Sequence, residues 1–152
     1  MKIRIEISED AEEEVVLRCR GENAHVRQIR TLLETVLHDT GELTLHVDNT
    51  EYYVPIQDIL FFETQEGRVY AHTADRMYRS DQRLFELENS MPHYFTRISK
   101  AAVANVKGIE SLRRELTGNG AISFRGCGKT VYFSRAYYRQ LKEKIEEVRC
   151  LK

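Results

Sequence analysis

The spacing of apolar residues changes near residue 43, and this change limits the folds open to the chain. After Asn23, apolar side chains recur at three and four positions through about His38, which predicts an amphipathic helix with Asn23 as its N-cap. From Leu43 the spacing falls to two, in short runs divided by turn residues, which is typical of strands. The predicted strands are Leu43–Val47, Tyr52–Val54, Ile59–Glu63, Arg68–His72, Met77–Arg79, Ile109–Glu115, Ala121–Phe124 and Val131–Phe133.

Two further helices are predicted within this β pattern. A short one begins at Asp81, points Leu84 and Leu87 inward, and ends before Pro92. The other is capped by Ser134 and runs toward the C-terminus. Its expected buried face consists of Tyr138, Leu141, Ile145 and Val148. The expected fold class is therefore α+β, with a mostly β domain over residues 43–152 that contains a short helix and a C-terminal helix.

A small ββα unit is expected over residues 1–42. Its first strand is predicted at 2–7, where every second residue is isoleucine, and its second at Val15–Leu17. The helix that follows has a broad apolar stripe but few other residues in the unit to cover it. The unit therefore either packs on the second domain or pairs with another copy of the chain.

Composition excludes several classes of protein. No apolar run approaches the roughly 20 residues that a membrane helix needs, and the first residues lack the apolar stretch of a secretory signal, so a cytoplasmic location is expected. Cys19, Cys127 and Cys150 have no metal-ligand or disulfide spacing, and the five histidines are scattered. We expect neither a metal nor another cofactor.

Charge is distributed unevenly along a chain whose formal net charge is only -1. Residues 1–50 hold six Lys/Arg and eleven Asp/Glu, whereas the stretch from Phe95 to Arg139 holds nine Lys/Arg and two Asp/Glu. A locally basic surface on a nearly neutral protein indicates binding to an anion.

Four blocks of sequence carry a resemblance to a known family. They are VPIQDILFFE at 54–63, YAHT at 70–73, FTRISKAAVAN at 95–105, and Ser134-Arg135 before the last helix. In order and spacing they resemble the LytTR DNA-binding domain. That resemblance implies an elongated β fold whose loops, in place of a recognition helix, enter successive major grooves of DNA.

Three residues are candidates for reading bases. Arg135 opens a helix, where the helix dipole disfavours a cation, and its planar fork suits guanine or phosphate. Asn105 either closes a turn through its side chain or contacts adenine. The resemblance implies a base contact at the hairpin tip 66–68, where Arg68 has the reach.

Contacts to the DNA backbone are expected from three other cations. Lys100 occupies a turn where the family usually has a cation, and we expect it to contact phosphate. Arg97 alternates with Phe95 and either points outward to phosphate or pairs with a carboxylate beneath the sheet. Lys107 completes the set. Tyr70 and His72 share one face of the hairpin strand, where core packing is the expected role.

One segment imitates a nucleotide-binding motif. Residues 126–130, GCGKT, resemble the end of a P-loop, but Ser123 stands where its first glycine belongs, and a strand follows where a helix is required. We interpret the segment as a hairpin turn, and we expect Lys129 and Arg125 to add positive charge near DNA. No nucleophile motif or acid/base pair is present, so we expect no enzymatic activity.

The sequence thus predicts a regulator that binds repeated sites on double-stranded DNA as a homodimer, with the N-terminal unit providing dimerisation. About 45 residues cannot hold a receiver domain, so control by phosphorylation is not expected. A membrane protein that holds the chain inactive is a further expected partner, on the resemblance alone. The alternatives are a protein-interaction module whose basic face binds an acidic partner and a small nucleotide-binding enzyme.

Overall fold

Two antiparallel sheets and three helices make up the fold. The structure is a computed structural model, and it describes residues 2–10, 12, 14–38 and 41–149. The helices are α1 (Ala24–His38), α2 (Leu84–Ser90) and α3 (Arg135–Arg149). The strands are β1 (Glu42–Val47), β2 (Thr50–Pro55), β3 (Phe61–Gln65), β4 (Arg68–His72), β5 (Met77–Ser80), β6 (Phe95–Ser99), β7 (Ala102–Asn105), β8 (Ile109–Arg114), β9 (Gly120–Phe124) and β10 (Thr130–Phe133).

The larger sheet has seven strands in the order β2-β1-β5-β4-β3-β7-β6, and the smaller has three in the order β10-β9-β8. All of the described pairings are antiparallel. The α+β, mostly β fold class predicted from the sequence is confirmed. Most strands follow one another through tight turns, but β3 pairs with β7, about forty residues later in the chain.

Aromatic and aliphatic side chains join the two sheets into one core. The rings of Phe61 on β3 and Phe124 on β9 stack with centroids 5.4 Å apart. Helix α3 closes the core. Of its predicted buried face, Leu141, Ile145 and Val148 are buried, and Tyr138 is half-buried against the core. Each buried aliphatic side chain of this kind stabilises a fold by about 1.5–3 kcal/mol.

Helix α2 differs slightly from its prediction. Leu84 and Leu87 are buried as expected, but the helix begins at Leu84 and not at Asp81. The preceding residues form a bend in which the Gln82 N–H donates to Ser80 Oγ at 3.1 Å. This local bond between side chain and backbone delays the start of the helix.

The N-terminal unit is only partly as predicted. Helix α1 forms, and the Val26 N–H donates to Asn23 Oδ1 at 3.0 Å, which confirms the cap. The two strands predicted at 2–7 and Val15–Leu17 are not formed. A strand needs a hydrogen-bonded neighbour, and alternation in sequence shows only that a segment is suited to one. None of the helices in the described ranges is long and apolar enough to cross a bilayer.

Candidate nucleic-acid interface

Three loops that are distant in sequence adjoin one another through backbone hydrogen bonds. The Thr64 N–H at the end of β3 donates to the carbonyl of Ala101, in the β6–β7 turn, at 2.8 Å. The Ser134 N–H, just before α3, donates to the carbonyl of Ile98 on β6 at 3.0 Å. The β6–β7 turn therefore lies between the tip of the β3–β4 hairpin and the start of α3.

The β3–β4 tip presents Arg68. Glu66 and Gly67 both have positive φ, 51° and 77°, and Gln65 pairs with Arg68 across the hairpin. A two-residue loop with two left-handed residues suits the twist of the flanking strands. Arg68 opens β4 with its side chain exposed. The tip is therefore a defined turn that holds a cation at the end of two interior strands of the larger sheet.

The β6–β7 turn exposes Lys100, and Arg97 supports it from beneath. Arg97 donates from Nε to the carbonyl of Ser99 at 2.8 Å and from Nη2 to the carbonyl of Lys100 at 2.6 Å. Its Nη1 lies 2.8 Å from Glu88 Oε2 on α2. Of the two roles open to Arg97 in the sequence, the structure adopts pairing with a carboxylate, and the guanidinium holds the Lys100 turn in place.

Asn105 is buried and does not reach the surface. It is 2% exposed, its Nδ2 donates to the carbonyl of Ile59 at 3.0 Å, and its Oδ1 accepts from the Lys107 N–H at 2.9 Å. The proposed base contact is corrected here, because both ends of the amide are used inside the protein. Of the two roles left open, the structure selects closure of the turn at Val106–Gly108.

Arg135 begins α3 and is exposed. Its N–H donates at 2.8 Å to Oδ1 of Asn119, from the β8–β9 turn, which satisfies one of the free donors at the helix start. The stem of Arg135 lies over Gly118: a Cβ added there would stand 2.5 Å from Arg135 Cδ. The β8–β9 turn thus seats the arginine, a support that the linear sequence does not reveal.

Arg68, Lys100 and Arg135 have no carboxylate partner among the residues that the structure describes. Within the described residues, none of Arg68, Lys100 and Arg135 has a carboxylate oxygen within 4 Å of its charged nitrogens. Lys107 is placed differently, because β7 runs away from the Lys100 turn and Lys107 follows its far end. There its ammonium lies 4.0 Å from the centre of the Tyr94 ring. Of the six candidate residues, Arg68, Lys100 and Arg135 are therefore the exposed cations on the three adjoining loops.

A polar cluster of His72, Glu63 and Lys129 joins the two sheets. His72 is 7% exposed, stacks on Phe61 with centroids 4.3 Å apart, and places Nε2 at 2.8 Å from Glu63 Oε1. Lys129 Nζ lies 3.4 Å from His72 Nδ1 and donates to the carbonyl of Arg76 at 2.6 Å. Burial lowers the pKa of His72, Lys129 lowers it further, and Glu63 opposes both. Core packing of His72 is confirmed.

The same cluster changes the interpretation of residues 126–130. They form the expected turn between β9 and β10, with Gly126 at φ 72°. The Lys129 ammonium is bound to the larger sheet, and burial lowers its pKa. Its contribution is therefore to dock the smaller sheet, and the charge that we predicted near DNA is used inside the fold.

Comparison with known proteins agrees with this geometry. The family model described as the LytTr DNA-binding domain matches residues 49–146. An uncharacterised HTH-type transcriptional regulator of Staphylococcus aureus strain MSSA476 is 27% identical over 146 residues, which cover 95% of this chain and 98% of the relative. Another from S. aureus strain N315 is 29% identical over 123 residues, which cover 81% and 82%.

A solved structure shows the same fold. It is the LytTr DNA-binding domain of a Bacillus cereus protein described as a methyl-accepting/DNA response regulator, with a TM-score of 0.65 and 19% identity. The superposition covers 97% of that domain and 70% of this chain. In the described part of this chain, strands separate each helix from the next, so no two helices form a helix-turn-helix pair. The matched family model spans more than half of the sequence, and the chain therefore belongs to the LytTr DNA-binding domain family.

Proposed function

We propose that this DNA-binding protein is a transcription regulator that reads duplex DNA by sequence through Arg68, Lys100 and Arg135. The observation that supports this most directly is the presence of three exposed cations, none paired with a carboxylate of the described residues, on loops that are hydrogen-bonded to one another. In this proposal Arg68 and Arg135 contact base edges in the major groove, where guanine offers two acceptors to one guanidinium. Lys100 contacts phosphate between them.

The other candidates have supporting roles in the proposal. Arg97 positions the Lys100 turn, and Asn105 fixes the turn after β7. Lys107 contacts the DNA backbone farther from the three loops, at the other end of β7. No residue is assigned a catalytic role, because the three loops supply exposed cations suited to contact with a polyanion.

We also propose that the protein binds repeated half-sites as a homodimer, and that residues 1–42 supply the contact between copies. Large apolar side chains of this unit are exposed, including Ile3, Ile5 and Ile7 at 82–95%. The S. aureus MSSA476 relative matches over 95% of this chain, so the shared sequence extends well beyond the DNA-binding domain. Burial of each such side chain in a dimer would stabilise it by roughly 1.5–3 kcal/mol, before the cost of association.

Two further proposals follow from the family membership. Binding to DNA requires the compartment that holds the chromosome, which is the cytoplasm in a bacterium. A membrane protein that holds the regulator inactive is proposed as the source of its control. A pull-down from native membranes tests this second proposal, and recovery of no membrane protein would refute it.

Selection from a random duplex pool at about 150 mM salt tests the main proposal, because weak binding to phosphate alone is largely screened there. We expect a motif that occurs twice, with half-sites separated by about one helical turn or a multiple of it. Recovery of no motif would refute sequence-specific reading and favour a module whose basic face binds an acidic protein. A single unrepeated motif would refute only the dimer.

Variants test the assigned residues. Arg135→Ala should weaken binding to the selected site by about 1–3 kcal/mol and reduce the preference for it, whereas Lys100→Ala should weaken binding to all duplexes alike. Arg76→Ala is the control, since Arg76 is an exposed arginine in the β4–β5 turn, at the opposite end of β4 from Arg68 and outside residues 1–42. Unchanged affinity and preference in both test variants would show that the residues are wrongly assigned.

A further inference from the structure

The first residues of the chain have the pattern of a strand but no strand partner within the described residues. Ile3, Ile5 and Ile7 are 91%, 82% and 95% exposed. Between them, the exposed side chains of Arg4 and Glu6 meet, with Arg4 Nη1 3.5 Å from Glu6 Oε1. Successive side chains of a strand point to opposite faces, so as a strand this segment would have one apolar face and one charged face.

This segment is complementary to itself when it is reversed. We infer that residues 2–8 form an antiparallel strand pair with residues 2–8 of a second copy, with Ile5 on the two-fold axis. In that register Ile5 faces Ile5 of the partner subunit, and Ile3 faces Ile7 of the partner subunit. On the other face Arg4 lies opposite Glu6 of the partner subunit, and symmetry repeats this pair. Opposite charges directly across a strand pair stabilise it.

Other registers lack this complementarity. A two-fold axis at Arg4 places two arginines opposite each other, and an axis at Glu6 does the same with two glutamates. Parallel pairing in register sets every charge against its like. Directly opposed like charges destabilise a strand pair, so the register centred on Ile5 is favoured over these arrangements. A two-fold axis at Ile3 is disfavoured in the same way, because it opposes Lys2 to Arg4.

Helix α1 offers a cover for the isoleucine face of the pair. A two-stranded ribbon alone is only marginally stable in water, so its apolar face must pack on something. On α1, Leu32 is 50% exposed and Val36 is 73% exposed. Near its middle, α1 contacts α3, where Thr31 Oγ1 lies 3.3 Å from Glu147 Oε1. The ribbon and the two α1 helices would thus form one apolar layer between the DNA-binding domains. This inference supplies the dimer contact that the proposed function requires.

Cysteine cross-linking measures the register in the full-length chain, with Cys19, Cys127 and Cys150 replaced by serine. Residues that face each other across an antiparallel pair have Cα atoms roughly 4.5–5.5 Å apart, within the range of a disulfide. Under mild oxidation, Ile5→Cys should therefore convert most of the protein molecules to disulfide-linked dimers. Ser8→Cys is the matched control, because it removes no charge pair and the two copies of residue 8 would lie roughly 20 Å apart along the ribbon, beyond that range. Cross-linking of Ser8→Cys as strong as that of Ile5→Cys would overturn the register.

Charge exchange tests the same contact without a covalent bond. Arg4→Glu and Glu6→Arg should each weaken the dimer about tenfold or more, since each sets two like-charge pairs across the ribbon. An equimolar mixture of the two variants should dimerise as wild type does, because every pair is again of opposite charge. Wild-type dimerisation of either variant alone, or no recovery in the mixture, would overturn the inference.

The dimer is measured by analytical ultracentrifugation in the absence of DNA, which separates the two proposals. A chain that dimerises through residues 2–8 and selects no DNA motif would refute the proposed function and leave this inference standing. A chain that selects a motif and shows no charge-dependent association would refute the strand pair at residues 2–8 and leave the proposed function standing.

Discussion

Replacement of Arg97 by methionine separates support of a turn from contact with DNA. Methionine keeps the length and packing of the stem and removes all three hydrogen bonds, to the carbonyls of Ser99 and Lys100 and to Glu88. A hydrogen bond to a charged group contributes about 1.5–3 kcal/mol when it is shielded. The Arg97 side chain is 17% exposed and that of Glu88 is 36% exposed, so the freed acceptors regain water. We therefore expect a total loss of roughly 2–3 kcal/mol in the free energy of unfolding.

Urea unfolding and DNA titration together give the assay. If Arg97 only positions the turn, Arg97→Met should also weaken DNA binding, because the Lys100 turn loses its support. The slope of log K against log salt should stay unchanged, because no phosphate contact is lost. Arg97→Lys should recover little, since one ammonium cannot span three acceptors as a planar guanidinium does. Full stability together with a slope reduced by about 0.9 would refute this reasoning and show that Arg97 neutralises a phosphate.

Three other changes test particular parts of the structure. Asn105→Ala should lower the free energy of unfolding by about 2–3 kcal/mol, because it leaves the buried carbonyl of Ile59 and the part-buried N–H of Lys107 without Asn105 as a partner. A stable variant with altered base preference in the pool selection would contradict this. Lowering the pH from 7 to 5 should destabilise the protein. The pKa of His72 is lower in the folded state than its ordinary 6.5, so the unfolded chain binds more protons in this range, and acid favours unfolding. His72→Gln should reduce this pH dependence in urea unfolding, and an unchanged dependence would argue against the role of His72. Gly118→Ala should weaken DNA binding, because the added Cβ would displace the stem of Arg135. Gly126→Ala is the control: it bears a similar positive-φ strain, but its added Cβ would have no atom within 4 Å, so DNA binding should be unchanged. Equal DNA affinities of the two variants would refute the seating of Arg135.

Local features of the sequence determined most of the elements. The helix after Asn23 has the predicted cap, and β4 has the predicted bounds, Arg68–His72. The buried face of α3 was also predictable, because the spacing of Leu141, Ile145 and Val148 follows from helix geometry alone. Arg68, Lys100 and Arg135 were identified as candidates from charge, position and family resemblance.

Only the tertiary structure decided what several polar side chains do. Asn105 faces the carbonyl of Ile59, and Arg97 faces Glu88, through contacts across the fold that no local pattern contains. The support of Arg135 by Asn119 depends on how the β8–β9 turn meets α3. Spacing along a chain specifies which face of an element is apolar. Whether a polar side chain on that element meets solvent, DNA or another part of the protein depends on which distant element packs against it. The segment at residues 2–7 shows the same limit, since its sequence suits a strand and only a neighbouring strand can make it one.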